Sequence, residues 1–173
     1  MSYIQVTDLT FAYEGSYDNI FENVSFRLDT DWKLGLIGRN GRGKTTFLKL
    51  LMGQYEYSGT ISADMEFAYF PYEVEHKDWL TMDVLRELCP LCEDWEIIKE
   101  VSRIEIGEEE LWRPFDTLSD GEQGKALLAA LFLKEHAFLL IDEPTNHLDL
   151  EGRKAINKYL QQKKGFILVS HDR

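Results

Sequence analysis

Residues 38–45 contain three glycines, and Gly38, Gly43, Lys44 and Thr45 match the spacing G-x-x-x-x-G-K-T. Glycine tolerates backbone angles that other residues avoid, so successive N–H groups in such a loop can turn toward phosphate oxygens. Lys44 would add a positive charge at the outer phosphates, and Thr45 a hydroxyl for magnesium. The apolar run 33–37 stands where this loop needs a strand, and the helix predicted after it points its positive end at the same anion. The spacing therefore predicts that the chain binds a nucleoside triphosphate.

Carboxylates and a histidine follow two later apolar runs, each of which predicts a buried strand. Asp142 and Glu143 come directly after 138–141, and His171 comes two positions after 166–169. Ligands of open α/β sheets bind at the carboxyl ends of the strands, so one carboxylate can hold magnesium while the other orients water. An Asp-Glu pair is also common as a solvated strand end, and a lone histidine is usually only packed or exposed. Downstream of a phosphate loop, the functional interpretation is favoured for all three residues.

A further candidate site is the start of a predicted helix at 118–123. Ser119 and Glu122 form the pattern S-x-x-E before an apolar run, which is a capping box that begins a helix whether or not a ligand binds. Ser119 and the N–H groups near Gly121 are also placed to bind an anion such as a terminal phosphate. The local sequence leaves both interpretations open.

The remaining patterns position these residues. Alternation of apolar and polar residues predicts antiparallel strands between Tyr3 and Leu28, and strand-like alternation returns at 59–70. Apolar residues at helical spacing between about 81 and 112, with acidic residues between them, predict a small helical subdomain. Helices then alternate with apolar strands, which predicts a parallel sheet covered on both faces. The predicted helices are 45–52, 121–133 and 150–162, and the predicted buried strands are 138–141 and 166–169.

Composition limits the classes of function. The chain has 173 residues and 44% hydrophobic content, which suits one domain with a real core. Its longest uninterrupted apolar run, 126–133, is far below the roughly 18 residues that cross a bilayer, so we expect a soluble, cytoplasmic protein without a membrane segment. The net charge of −12, with scattered basic residues, predicts poor binding of nucleic acid by this domain alone.

The cysteines and tryptophans suggest structural roles. Cys89 and Cys92 supply two thiolates where a structural zinc site needs four ligands, so we interpret them as reduced cysteines in a helical segment. No basic residues are interleaved with the four tryptophans as binding of single-stranded nucleic acid demands, which favours core packing. The tryptophans are Trp32, Trp79, Trp95 and Trp112.

Taken together, the motifs resemble in order those of an ABC-type ATPase cassette across nearly the whole chain. The stretches 142–149 and 170–173 are similar to the ABC-F branch, and the short helical segment with 70–74 resembles its antibiotic-resistance ribosome-protection proteins. The resemblance implies an α/β P-loop NTPase fold: a mostly parallel sheet flanked by helices, an antiparallel β subdomain and a helical subdomain at about 75–116. We expect 1–173 to be one nucleotide-binding domain, truncated at its C-terminus, because the family continues past Arg173.

The resemblance also implies roles, with ATP and Mg²⁺ as cofactors. Glu143 would be the general base, and His171 would sense the γ-phosphate. Thr45 and Asp142 would hold Mg²⁺, and Tyr13 would stack on adenine. A second cassette, in the same full-length chain or in a homodimer, would supply the opposite face of each ATP, so the isolated fragment would hydrolyse ATP weakly or not at all. The ATP-binding set is Tyr13, Gly38, Arg39, Asn40, Gly41, Arg42, Gly43, Lys44, Thr45 and Thr46, and the set contacting the partner's ATP is Ser119, Gly121, Glu122 and Asp149.

Two departures from the family pattern bear on function. Asp120 replaces a second glycine of the signature, and Tyr72 replaces a glutamine that helps to coordinate magnesium and water. We expect the first cassette of a soluble ABC-F ATPase whose ribosome contacts lie in parts absent here. The main alternative is the ATP-binding subunit of a membrane transporter, which Tyr72 disfavours. A chromosomal or repair clamp would carry long insertions, and an enzyme of small-molecule phosphoryl transfer would need an acceptor pocket and a lid, which nothing in the sequence marks.

Overall fold

The computed structural model describes residues 3–13, 15, 21–37, 42–134, 137–145 and 148–170, apart from the side chains of 36, 37, 42 and 43. The contacts divide the described chain into two compact units. The first is built from the described parts of 1–69, 137–142 and 164–170, and the second from those of 70–134 and 143–163. The strands are β1 (Tyr3–Phe11), β2 (Phe21–Asp29), β3 (Lys33–Ile37), β4 (Ser58–Ala63), β5 (Glu66–Phe70), β6 (Ala137–Asp142) and β7 (Phe166–Ser170).

The first unit contains two sheets. A three-stranded sheet has the order β2-β1-β4, with β1 antiparallel to both neighbours, which confirms the strands predicted at the start of the chain. A four-stranded sheet has the order β3-β7-β6-β5, and β7 runs parallel to β3 and β6. The mostly parallel sheet and the antiparallel subdomain are therefore both confirmed.

Helix α1 (Arg42–Leu51) packs in the core of the first unit. Its buried residues Phe47, Leu48, Leu50 and Leu51 join one apolar cluster with Ile4, Val6 and Leu9 of β1, Phe138 and Leu140 of β6, and Ile167 and Val169 of β7. The helix ends as predicted near Gly53, which has φ +76° and donates its N–H to the Leu50 carbonyl oxygen at 3.0 Å. Glycine is favoured here because the left-handed conformation penalises a Cβ. The core of this unit thus fixes the helix that follows the phosphate loop.

The second unit is helical, as predicted for its first half. Its helices are α2 (Thr81–Leu88), α3 (Asp94–Arg103), α4 (Glu108–Leu111), α5 (Asp120–Phe132) and α6 (Leu150–Gln161), with a 3₁₀ turn at Phe115–Thr117. Contacts link α3 and α2 to α5, and the apolar faces of these helices are buried. None of the described helices is long and apolar enough to cross a membrane.

A buried carboxylate ties α3 to α6 in this unit. The Glu100 side chain is 5% exposed and forms ion pairs with Lys163 at 2.5 Å and Arg103 at 3.1 Å. The hydroxyl of Tyr159 donates to Glu100 Oε2. Burial, and then the hydrogen bond and charge of Glu100, raise the pKa of Tyr159 above its ordinary value of 10.0. The phenol therefore stays protonated and acts as a donor to the buried charge.

The structure refines two of the sequence interpretations and overturns a third. The run 59–70 divides into β4 and β5, which belong to different sheets. Cys89 is the C-terminal cap of α2 and Cys92 lies in the turn before α3, because the helix ends ahead of Pro90. The four tryptophans lie at helix ends or turns, and they are exposed rather than packed in the core. Their exposed fractions are 51% for Trp32, 39% for Trp79, 59% for Trp95 and 45% for Trp112.

Candidate functional site

Helix α1 and strands β5 and β6 meet at the carboxylate of Asp142. Thr45 donates from Oγ1 to Asp142 Oδ2 over 3.3 Å. The hydroxyl of Tyr69 donates to the same oxygen over 2.6 Å. Asp142 Oδ1 is buried and has no hydrogen-bond partner among the described residues. The structure therefore brings together the two residues predicted to hold magnesium and adds a third, Tyr69, that the sequence reasoning missed.

This arrangement fits a magnesium ion. Mg²⁺ prefers oxygen ligands from carboxylates, and the buried Asp142 Oδ1 is such an acceptor. The Thr45 hydroxyl gives its proton to Asp142 and keeps its lone pairs, so it can serve as a ligand at the same time. A buried acceptor without a partner is costly in a folded protein, and a cation removes that cost.

Tyr69 is held as a permanent donor to this carboxylate. Burial raises the pKa of Tyr69 above its ordinary value of 10.0, and the hydrogen bond and negative charge of Asp142 raise it further. The phenol is consequently neutral at physiological pH. Its partner is 73 positions away in the sequence, so no local pattern could have indicated the contact.

Tyr13, predicted to stack on adenine, lies beside α1. Its hydroxyl is hydrogen-bonded to Thr46 Oγ1, and Thr46 is 2% exposed. The Tyr13 ring packs edge-on against Phe11 at 5.1 Å and against Tyr55 at 5.7 Å between centroids. This aromatic cluster places the ring next to the residue that follows Thr45, and its stacking on a base stays a prediction.

Glu143, the predicted general base, directly follows Asp142 at the end of β6. Its φ is +51°, in the left-handed region that residues with a side chain rarely adopt. Such a conformation costs about 1–3 kcal/mol, and strain of this kind concentrates at functional sites. The side chain is half-buried. The backbone at this position is thus set by the surrounding structure against its local preference.

The predicted capping box is present at the start of α5 in the second unit. Ser119 Oγ accepts the N–H of Glu122 at 3.1 Å, and Glu122 Oε1 accepts the N–H of Ser119 at 3.0 Å. The hydrogen bond from the Ser119 backbone lowers the pKa of Glu122, so this carboxylate stays ionised at neutral pH. Ser119 itself is exposed. The start of α5 is therefore capped by side chains of the chain itself.

The other residue predicted to meet a partner, Asp149, lies near this helix start. Asp149 caps α6, because its Oδ1 accepts the N–H of Gly152 at 2.8 Å. Its neighbour Leu148 reaches α5, since a Cβ on Gly121 would lie 2.7 Å from Leu148 Cδ2. The structure therefore gathers all four predicted partner-contact residues, Ser119, Gly121, Glu122 and Asp149, in one region of the second unit.

Tyr72, which we expect to replace a family glutamine, lines a shallow groove of the second unit. The groove holds about 200 Å³ of space, including open solvent, and is also lined by His76, Trp79 and Glu87. The rings of His76 and Trp79 are stacked at 4.2 Å. Burial, followed by the charges of Glu87 and Glu75, raises the pKa of Tyr72. Tyr72 is thus a neutral phenol in an acidic groove.

Some predicted residues lie outside the described part of the chain. They are Gly38, Arg39, Asn40, Gly41 and His171, and for Arg42 and Gly43 only the backbone is described, within the first turn of α1. Lys44 is half-buried in that turn. The roles predicted for these residues stay predictions.

Comparison with known proteins identifies the class. The chain belongs to the ABC transporter family, whose model matches residues 21–146. The chain is 32% identical over 98% of its length to the probable ATP-binding protein YbiT of Escherichia coli O157:H7. It is 34% identical to the putative ATP-binding protein YdiF of Bacillus subtilis and 32% identical to the mouse ATP-binding cassette sub-family F member 3, again over 98% of its length. The resemblance to an ABC-F ATPase cassette is confirmed.

The chain spans only part of these relatives, covering 33% of YbiT, 27% of YdiF and 25% of the mouse protein. Solved structures agree on the fold. A putative ABC transporter ATP-binding protein from Pyrococcus furiosus matches 99% of this chain and 92% of its own, with a TM-score of 0.83 at 20% identity. An ATP-binding subunit of an ABC transporter matches 98% of this chain and 79% of its own, with a TM-score of 0.77 at 25% identity.

Proposed function

We propose that this chain binds Mg²⁺-ATP as the first cassette of a cytoplasmic tandem ABC-F protein and hydrolyses it together with a second cassette. The observation that carries the proposal is the carboxylate of Asp142, which holds Thr45 and Tyr69 on one oxygen and leaves the other buried without a partner among the described residues. The Lys44 that completes the phosphate loop is adjacent to Thr45. The site therefore suits a phosphate-bound divalent cation.

The chemistry divides between the chain's own groups and the metal. Mg²⁺, held by Thr45 and Asp142, would neutralise the charge of the phosphates. Lys44 would bind the outer phosphates as a point charge, with the N–H groups of the 38–45 loop around them. Glu143 would accept the proton of the attacking water as general base, and His171 would contact the γ-phosphate.

The start of α5 supports the need for a partner. Ser119, Gly121, Glu122 and Asp149 lie together in the second unit, and Ser119 is exposed. An exposed helix N-terminus with a hydroxyl suits the γ-phosphate of an ATP bound by another cassette. Hydrolysis then requires the pair, and ATP acts as the switch that closes it. Asp120 adds a negative charge at this contact and weakens it.

Lys44→Ala and Glu143→Gln test these assignments. Lys44→Ala should abolish ATP binding, measured with a fluorescent ATP analogue, whereas Lys49→Ala in the last turn of the same helix should not. Retention of normal affinity by Lys44→Ala would remove the phosphate-loop assignment. In the full-length protein, Glu143→Gln should bind ATP but stop hydrolysis, while the exposed Glu151→Gln should turn over normally. Unchanged hydrolysis by Glu143→Gln would assign the base elsewhere.

The proposed target is the ribosome, with antibiotic resistance by target protection as the specific form of that activity. Its support is the likeness to sub-family F relatives. The resemblance of 70–74 and the short helical segment to ribosome-protection proteins adds to it. The test is co-sedimentation of the full-length Glu143→Gln protein in ATP with purified ribosomes and, in parallel, with membrane vesicles. ATP-dependent pelleting with ribosomes alone is expected. Pelleting with membranes would instead support the transporter alternative. Pelleting with neither would refute the proposal that the ribosome is the target.

A further inference from the structure

We propose that Tyr69 is a positioning residue that sets the affinity of the site for Mg²⁺ by fixing the carboxylate of Asp142. This inference rests on the proposed function. Tyr69 Oη lies 2.6 Å from Asp142 Oδ2, whereas Thr45 Oγ1 lies 3.3 Å from it. The phenol is therefore the closer of the two hydroxyl donors to that oxygen. A carboxylate held on one oxygen loses little rotational freedom when its other oxygen binds a cation.

The environment of Tyr69 makes this contact rigid. Tyr69 is half-buried in β5 and packs against the apolar cluster of the first unit. Asp142 is the last residue of β6, the strand next to β5 in the sheet. Both partners are thus carried by neighbouring strands of one sheet rather than by loops. Groups that hydrogen-bond a metal-ligating carboxylate typically change metal affinity about 10- to 100-fold when removed.

Tyr69→Phe removes only the hydroxyl, and the metal dependence of ATP binding measures the effect. The dissociation constant of a fluorescent ATP analogue is measured in EDTA and in saturating Mg²⁺ on the 173-residue chain. In Tyr69→Phe, the ratio of the two constants should fall about tenfold while the constant in EDTA stays that of the wild type. Tyr57→Phe, which removes a phenol hydroxyl from a side chain packed on the same cluster, should change neither.

The outcomes separate this inference from the proposed function. An unchanged ratio in Tyr69→Phe would overturn the role of Tyr69 and leave nucleotide binding intact. An equal weakening in EDTA and in Mg²⁺ would also overturn it, because a merely structural role predicts that result. Absence of binding by the wild type under both conditions would refute the proposed function and this inference together.

A second inference rests on the two cysteines and is independent of ATP. We infer that Cys89 and Cys92 form an intramolecular disulfide by exchange with a small-molecule disulfide such as glutathione disulfide. The turn from Cys89 to Cys92 is closed by the Cys92 N–H, which donates to the Cys89 carbonyl oxygen at 3.1 Å. Such a four-residue turn keeps its terminal Cα atoms within about 7 Å, and a disulfide spans about 4.4–6.8 Å.

The two sulfurs differ in access. The side chain of Cys89 is buried and its Sγ–H donates to the Leu85 carbonyl oxygen at 3.1 Å. Burial, and then the neighbouring Cys92, raise the pKa of Cys89 to about 12. Cys92 is only partly buried, and its Sγ lies 3.7 Å from the carbonyl oxygen of Leu133, just past α5. Cys92 is therefore the thiol that an external disulfide can reach.

The thiol–disulfide exchange proceeds in two steps. The Cys92 thiolate attacks one sulfur of glutathione disulfide, which expels one glutathione thiolate and leaves a mixed disulfide. The Cys89 thiolate then attacks the Cys92 sulfur and expels the second glutathione thiolate. The two expelled thiolates take up the two protons that the cysteines lose, so the protein is oxidised by two electrons and glutathione disulfide is reduced to two thiols. The new bond removes the S–H donors from Leu85 and Leu133.

Intact-mass analysis of the native chain with glutathione disulfide tests this inference. The wild type should lose two hydrogens and retain no glutathione. Cys89→Ser should stop at a stable glutathione adduct, and Cys92→Ser should react at least about tenfold more slowly than the wild type, because the remaining thiol is buried and largely protonated. A wild type that keeps glutathione without closing the bond, or a Cys92→Ser variant that reacts as fast as the wild type, would overturn it.

Discussion

Replacement of Glu100 by alanine should be among the most destabilising single changes in the second unit. The Glu100 carboxylate accepts the hydroxyl of Tyr159, a residue that is 1% exposed, and pairs with the 20%-exposed side chain of Lys163. Leaving a buried hydroxyl without an acceptor costs about 1–3 kcal/mol. Breaking a buried ion pair from one side costs about 3–5 kcal/mol. The Arg103 side chain is 45% exposed, so its pair with Glu100 adds little.

We therefore expect Glu100→Ala to lower the free energy of unfolding by about 3 kcal/mol. The assay is urea unfolding followed by circular dichroism, with the exposed Glu109→Ala as the matched control, which should stay within about 0.5 kcal/mol of the wild type. A double-mutant cycle with Tyr159→Phe should give a coupling energy of about 0.5–3 kcal/mol. A loss below about 1 kcal/mol for Glu100→Ala, or zero coupling, would refute the view that this carboxylate ties α3 to α6.

Three further perturbations should change the stability of the chain in a defined direction. Gly124→Ala in α5 should stabilise the chain by about 0.5–1 kcal/mol in urea unfolding, because the new Cβ would lie at an ordinary 3.8 Å from Phe70 Cζ; a loss of stability would show that the site is tighter than this. Gly59→Ala should destabilise by about 1–3 kcal/mol or more in the same assay, since φ is +102° and the Cβ would lie 2.4 Å from the Asp8 carbonyl oxygen. The raised pKa of Tyr159 beside Glu100 predicts stability that is fully present below pH 10.0 and is lost as the pH rises further, and urea midpoints measured across this range should fall less steeply in Tyr159→Phe.

The sequence predicted best where chemistry and periodicity are local. The capping box of Ser119 and Glu122 needs only four consecutive positions, and it is present as predicted. The left-handed turn at Gly53 and the buried strand before Asp142 are equally local signals, and both were located to within one or two residues. In these cases the neighbouring residues suffice to decide the backbone conformation.

The sequence could not predict the features that are determined by contacts between distant parts of the chain. Alternation continues through 59–70, but β4 pairs with β1 while β5 joins the other sheet, and these partners are set by tertiary contacts. The exposure of Trp95 and Trp112 likewise depends on which side of the short helices faces the core. The contact of Tyr69 with Asp142 joins two strands that are far apart in the sequence, so it became visible only in the structure.

The self-contained start of α5 has a consequence for the cost of association. Ser119 and Glu122 already satisfy each other's backbone N–H groups, so this helix end is ordered before any partner arrives. Ordering a backbone residue costs about 1–2 kcal/mol, and here that loss of conformational entropy is met during folding rather than during binding. The second cassette that we propose to dock on this surface would therefore meet a preorganised receptor, and more of the contact free energy would be left to hold the two cassettes closed.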